Sequence, residues 1–463
     1  MKKIKVGYLP LYIKLYDDAI PEYRDPMVSY MEKLTAMIES QGIELVKADQ
    51  VCRIKQEFDA AVQKFTDAGA VAVITQHLAY SPSLESIDAL LSLTVPIIVF
   101  DTTVDYGLIR TADFCDGVPA NHGIHGVQDM CSMLRRHGKP YYLCVGHAMH
   151  SNVVEEVVGM CRAAAVCKAF REAQVGSVGG SFAGMGDFLI SEERFQKDIG
   201  AQVKYMTKEI SARYLSQVTQ AQIDAELAED AAKYDVEVTF REEYREATRA
   251  GLALRKWMED ENLTACTVNF LNLDSCGLTK MPFPECCKIM ERGMGYAGEG
   301  DVLTAGLVGA LMQVYPQTAF TEMFCPDWEQ DVILLSHMGE SNPRLAQWKP
   351  LLTDMVFKWN SCGDTVGLYT CFRAGKAVWV NLAPMEDGFA LILSEGELLD
   401  KDLRNSVYRK ATQGWFKPRK PVPEFLKDFS MAGGTHHAAL VYDADIRELE
   451  AFGRMMGFAV TVI

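Results

Sequence analysis

Glu299, inside Gly295-Tyr-Ala-Gly-Glu-Gly-Asp301, together with Glu322, His337 and the pair His436-His437 after Gly433-Gly434, are metal-capable side chains set among small or apolar neighbours. Two carboxylates and two imidazoles suit one divalent cation. None of them stands at the helical i, i+4 spacing of a zinc-protease motif, so a shared site has to be assembled by the fold. Glu299 lies between two glycines just before a helix N-terminus, where a carboxylate is favoured and glycine lets another group approach the backbone; a turn with a cap explains it equally well. Glu322, in Ala319-Phe-Thr-Glu-Met-Phe324, is a charge among apolar residues, and such a Glu is rarely buried without a partner, which points to a ligand or a catalyst. His337 ends an apolar strand, where a hydrogen-bonded core histidine competes with a ligand. Two consecutive imidazoles cannot both face one side of a strand, so one of His436 and His437 is expected on a metal and the other toward substrate or solvent. His122 and His125, in Asn121-His-Gly-Ile-His-Gly126, form a second pair that opens a helix, with N-terminal capping as the alternative.

If Glu299, Glu322 and two of the histidines meet, ligand type sets the chemistry. Carboxylate and imidazole without thiolate suit Mn²⁺, Fe²⁺ or Co²⁺ better than a closed zinc site. Such a cation can hold vicinal sugar oxygens and polarise a carbonyl while paired glutamates move a proton between adjacent carbons. Positioned acid–base catalysis supplies roughly 10²–10⁴-fold, so the metal has to stabilise much of the remaining enediolate charge. The implied reaction interconverts an aldose and a ketose.

The bulk of the chain has to position these residues. At 463 residues it is long enough for two or three domains. A net charge of −16 and a pI near 5.1 argue against a nucleic-acid partner, which needs clustered Lys and Arg. The 13 cysteines are scattered without a Cys-x-x-Cys pair, as free thiols in a reducing cytoplasm would be. Basic residues precede apolar ones at the start, but Pro10, Lys14 and Asp17 interrupt the run, so it reads as a first strand and not a signal peptide. No apolar run is long enough to span a membrane.

The expected fold class is α/β, with doubly wound parallel-sheet N-terminal and central domains and a β-rich C-terminal domain. Residues 1–168 alternate short apolar runs with amphipathic stretches, the rhythm of a flavodoxin-like doubly wound domain: strands over Ile4–Leu9, Ile43–Lys47, Ala70–Ile74, Ile97–Phe100 and Tyr141–Val145, helices over Met27–Gln41 and Gln56–Ala68. A central α/β domain is expected over 169–316. It begins with a glycine-dense loop, Val175 to Gly186, that lacks the dinucleotide fingerprint, and continues through helices at Ala221–Tyr234 and Arg241–Asp260, a strand at Ala265–Leu271 and a helix at Val302–Val314 capped by Asp301. From 317 to 463 short strands dominate, at Val332–Leu335, Thr365–Phe372, Lys376–Asn381 and Ala390–Glu395. A Pro-rich hinge follows at Lys417–Pro423, and the segment is expected to complete the metal site.

The stretch from Cys266-Thr-Val-Asn-Phe270 through Gly295–Asp301, then Phe320-Thr-Glu322, Leu335-Ser-His-Met338 and Ala432-Gly-Gly-Thr-His-His437, resembles in order and spacing the L-arabinose isomerase branch of the L-fucose/L-arabinose isomerase family. The resemblance implies an intramolecular oxidoreductase, an aldose–ketose isomerase acting through an enediolate. It implies Mn²⁺, with Co²⁺, Fe²⁺ or Mg²⁺ as substitutes, on Glu299, Glu322, His337 and His437, with the two glutamates as the proton-transfer pair. It further implies sugar contacts from His125 of a neighbouring subunit and from Met185 and Phe270, with His436 beside the metal as a fourth substrate residue. A trimer-based homo-oligomer, commonly a hexamer with active sites between subunits, goes with it.

Departures concern the sugar. The family's Gln-His-Leu-Tyr-Gly segment after the first strand is replaced by Tyr8-Leu-Pro-Leu-Tyr12, the tyrosine-bearing stretch after the second glutamate reads Met323-Phe-Cys-Pro-Asp327, and the chain stops at Ile463 without the usual tail. L-arabinose, L-fucose, another aldose or an acidic sugar therefore all stand as substrates. Two other functions compete: a non-catalytic sugar-binding or sensor protein, against which the retained glutamate pair argues, and a metal-dependent epimerase or aldolase using the same intermediate.

Overall fold

The computed structural model describes residues 3–108, 117–401, 404–411 and 413–463. The chain divides into two compact units, Met1–Ala165 and Val166–Ile463.

The first unit is built on β1 (Ile4–Leu11), α1 (Arg24–Ser40), β2 (Ile43–Lys47), α2 (Lys55–Asp67), β3 (Val73–His77), α3 (Ser83–Ser92), β4 (Ile97–Asp101), α4 (Gly123–Arg136) and β5 (Tyr141–Val145). Its five strands pair in parallel in the order β2-β1-β3-β4-β5, the flavodoxin-like form of the doubly wound sheet. Helix α2 shows how the sequence dictates the packing: Phe58, Ala61, Val62 and Phe65 recur at three and four residues and are its buried face. The third strand starts three residues later than the apolar run suggests and ends on a buried His77.

Helix α5 (Val153–Arg171) carries the chain into the second unit. There β6 (Gln174–Val178), β7 (Gln202–Met206), β9 (Ala265–Val268) and β10 (Gly295–Gly298) form a parallel sheet in the order β10-β9-β6-β7. Two of these lie where the sequence reads as glycine-rich loop or turn. In β6, Gly176 leaves room for Trp257 and Leu263, whose side-chain carbons would be within 2.9 Å of an added Cβ. In β10, a Cβ on Gly295 would lie 2.1 Å from the carbonyl oxygen of Ala305 on α9 (Val302–Met312). Glycine is therefore the residue that lets α9 lie directly on the strand.

Three further helices, Gln220–Lys233, Arg241–Asp260 and Phe283–Glu291, are tied by a buried ion network. Arg255 donates to Glu226 at 2.9 Å and to Glu285 at 2.6 Å, and Lys288 to Glu226 at 2.7 Å. The last of these helices leads into β10.

The β-rich part closes on itself. Strands β11 (Thr318–Asp327), β12 (Val332–Ser336), β15 (Gly375–Pro384), β16 (Phe389–Leu398), β17 (Gly414–Pro418) and β18 (His437–Tyr442) pair antiparallel in the order β15-β18-β11-β12-β17-β16, and β15 also pairs with β16, so six strands make a barrel. Strand β19 (Ala459–Val462) joins β16 in parallel. Ala319, Ile333, Leu335, Trp379, Ile392, Phe416, Ala438 and Leu440 from the barrel strands share one apolar cluster, its interior. Because side chains alternate along a strand, Glu322 and His437 face the other way. The proline-rich stretch is no hinge: it is the end of β17 and the first turn of the helix Val422–Met431, where proline costs little.

Candidate metal and substrate site

The last residue of β10 hands over to Glu299, which adopts φ +62°, followed by Gly300 at φ +81°. A glutamate in the left-handed region is uncommon, and here both neighbours hold it: its amide donates to Val268 O at 3.0 Å and its carbonyl accepts from the Phe182 amide at 3.0 Å. Asp301 then caps α9, its Oδ1 accepting from the Thr304 amide at 2.8 Å.

His337 lies one residue past β12, and its imidazole sits against Gly298, where a Cβ would be 2.6 Å from Cε1. Its Nδ1 bonds Oε2 of the fully buried Glu340 at 2.6 Å, and the other oxygen of Glu340 accepts from Tyr296 at 3.0 Å. His437 begins β18 directly across from Glu322 of β11, so the two side chains share a face. Its Nδ1 faces Asp301 Oδ2 at 3.0 Å, its ring lies flat on Phe188 with centroids 5.0 Å apart, and the edge of Phe320 meets both imidazoles. Both histidines thus have one nitrogen tied to a buried carboxylate, the arrangement that fixes a metal-ligating imidazole. Donor atoms of Glu299, His337 and His437 all lie within 4.8 Å of one another.

Electrostatics separate the two glutamates. Burial opposes ionisation of Glu299, but His436 and His437 override it and hold the carboxyl down at about 2. The Glu322 carboxyl has no hydrogen bond among the described residues, and burial pushes it above the ordinary range despite the nearby imidazoles. Burial would lower His337, but Glu340 outweighs it and raises the imidazole to about 9.

Models of known families match most of the second unit: the L-arabinose isomerase central domain over residues 192–316 and the L-arabinose isomerase C-terminal domain over 317–459. The chain belongs to the L-arabinose isomerase family. Among curated family members, the L-arabinose isomerase of Aeromonas salmonicida is 26% identical over 396 residues, covering 83% of this chain and 79% of that protein. The L-arabinose isomerase of Geobacillus kaustophilus is 26% identical over 432 residues, covering 90% and 84%. Among solved structures, a periplasmic solute binding protein from Actinobacillus succinogenes with bound D-allose aligns over 67% of this chain and 92% of its own, with 12% identity and a TM-score of 0.19.

The L-arabinose isomerase motifs converge as follows. Glu299, His337 and His437 form the cluster, Glu322 stands across from His437, and His436 also enters, its Nε2 lying 3.6 Å from Glu299 Oε2. Alternation does not divert His436 because it precedes the strand; its ring leans 4.2 Å from that of His437. Phe270 is buried between Phe182 and Phe357, both 5.7 Å away, and Met185 is half-buried on the loop after β6. His125 belongs to the first unit, exposed on the first turn of α4, with Nδ1 2.8 Å from His122 Nε2; His122 occupies the N-cap without making a capping bond. Sequence reasoning missed Glu340, Asp187 and Phe188, and it saw Asp301 only as a cap. The His337-x-x-Glu340 spacing was the one available signal.

Proposed function

We propose that this chain is a metal-dependent aldose–ketose isomerase in which Glu299 and Glu322 are the acid–base pair and Glu299, Glu322, His337 and His437 hold a divalent cation, Mn²⁺ in the first instance. The observation that carries the reading is the buried Nε2 of His437, which has no hydrogen-bond partner among the described residues while Nδ1 is taken by Asp301, and which lies 3.5 Å from Glu299 Oε2. Such an atom costs stability unless something binds it. A divalent cation fits the donor set of carboxylates and imidazoles. When bound, it supplies Lewis-acid polarisation of the sugar carbonyl and offsets the negative charge that develops during enolisation.

The residues do the rest. Interconversion moves one proton between C1 and C2 and another between their oxygens. Glu299 and Glu322 are the pair that would carry the carbon-bound proton between C1 and C2; burial and the neighbouring imidazoles set them apart, holding the Glu299 carboxyl below the ordinary range and the Glu322 carboxyl above it. Phe188 and Phe320 keep water from the imidazoles. His436, Met185 and Phe270, with His125 from a neighbouring copy, are proposed to contact the sugar in a cytoplasmic homo-oligomer built on trimers. The chain is proposed to divide into three domains, with boundaries at residues 168 and 316.

The test is ketose formation from a panel of L- and D-aldoses, including deoxy and acidic sugars, with EDTA-treated protein as control. Turnover of at least one sugar is expected, lost on chelation and in Glu299→Gln and Glu322→Gln. Wild-type rates in either variant would remove that residue from the mechanism. Fragments or an inverted aldose in place of a ketose would point to an aldolase or an epimerase.

A further inference from the structure

The loop over residues 179–190 touches the cluster three times. The Phe182 amide holds the Glu299 carbonyl, the Phe188 ring covers His437, and Asp187 Oδ2 accepts from the backbone N–H of His436 at 2.9 Å and from its Nδ1 at 2.6 Å. One oxygen therefore clamps both the main chain and the ring, and a flip of the imidazole would break the second bond. With Nδ1 committed, Nε2 is the nitrogen left to meet a ligand. The exposures differ in a telling way: the side chains of His337 and His437 are 2% and 0% accessible, whereas that of His436 is 31% accessible. Glu340 and Asp301 brace imidazoles sealed from solvent; Asp187 braces the imidazole a substrate can reach.

We propose that Asp187 is a positioning residue for the isomerisation, fixing the orientation of His436 so that Nε2 is presented to a sugar hydroxyl beside Glu299. This rests on the isomerase reading above. A substrate hydroxyl is directional, and misplacing its partner by about 1 Å can cost on the order of 100-fold in rate.

The experiment compares wild type, Asp187→Leu, Asp187→Asn, His436→Asn and Asp187→Leu/His436→Asn by steady-state kinetics and Mn²⁺ content, with the ¹⁵N signals of His436 followed wherever that residue is retained. Asp187→Leu is expected to lower kcat/KM roughly 10–100-fold with Mn²⁺ content unchanged. Asp187→Asn, which keeps an acceptor oxygen, is expected to recover part of it, and the double variant to be no worse than His436→Asn alone. Wild-type kinetics in Asp187→Leu, or additive losses in the double variant, would overturn the proposal. If Asp187→Leu loses its metal or fails to fold, Asp187→Asn and the Nδ1–H signal decide. A wild type that turns over no aldose ends the isomerase reading, and the clamp is then judged on the imidazole signals: a hydrogen-bonded Nδ1–H in wild type that is lost without Asp187 supports it, while identical spectra overturn it.

Discussion

At the scale of residues, the proposed metal would have to compete with a proton. Glu340 raises His337 to about 9 in the metal-free protein, so at neutral pH the imidazole is protonated, yet a ligand must offer a bare nitrogen. The sign follows directly: because the folded value lies above the ordinary 6.5, the His337–Glu340 pair adds stability that is complete below that pH and is lost as pH rises through about 9. Metal affinity should therefore climb with pH up to about 9. Binding at pH 7.5 should release about one proton, read by calorimetry in buffers of different ionisation heat; binding without proton release would contradict this role for Glu340. Residue types alone pointed to Glu299, Glu322, His337 and the pair His436-His437, since imidazole and carboxylate in apolar or glycine-rich surroundings are chemically conspicuous; only the family resemblance singled out His437 for the metal. Asp187 was not legible, because among 62 acidic residues nothing local marks one that meets an imidazole across the fold, and Glu340 was marked only by its three-residue spacing from His337.

At the scale of elements, glycine decides how closely strands and rings approach. Gly298 stands where a methyl group would come within 2.6 Å of His337 Cε1, and its backbone needs no special conformation. Gly298→Ala is thus expected to displace the imidazole and weaken metal binding roughly 10–100-fold while leaving the sheet intact, as metal titration and circular dichroism would show; unchanged affinity would mean that His337 is not a ligand. The same glycines hid the strand. Runs such as Ile43–Lys47 and Tyr141–Val145 matched the structure end to end because branched and aromatic residues announce a strand, whereas Gly295–Gly298 carries the composition of a turn. Helix Arg241–Asp260 was legible to the residue, its buried Tyr244, Ala247, Leu254 and Met258 keeping strict helical spacing.

At the scale of the whole molecule, Glu299, Glu322, His337 and His437 all lie within Val166–Ile463, brought together because β11 pairs with both β12 and β18. Barrel closure was not legible in the sequence, since register between strands so far apart depends on pairings that no local pattern encodes. A cation bound there should stabilise the folded state by about 2.7 kcal/mol at a hundredfold excess over Kd, raising Tm by roughly 3–5 °C. The measurement that tests the centre most directly is Mn²⁺ titration of EDTA-treated protein, following bound metal and thermal unfolding in wild type, His437→Ala and His436→Ala. One ion per chain with a raised Tm, abolished by His437→Ala and retained by His436→Ala, is the predicted result. Absence of saturable binding in wild type, or loss at His436 with retention at His437, would contradict it.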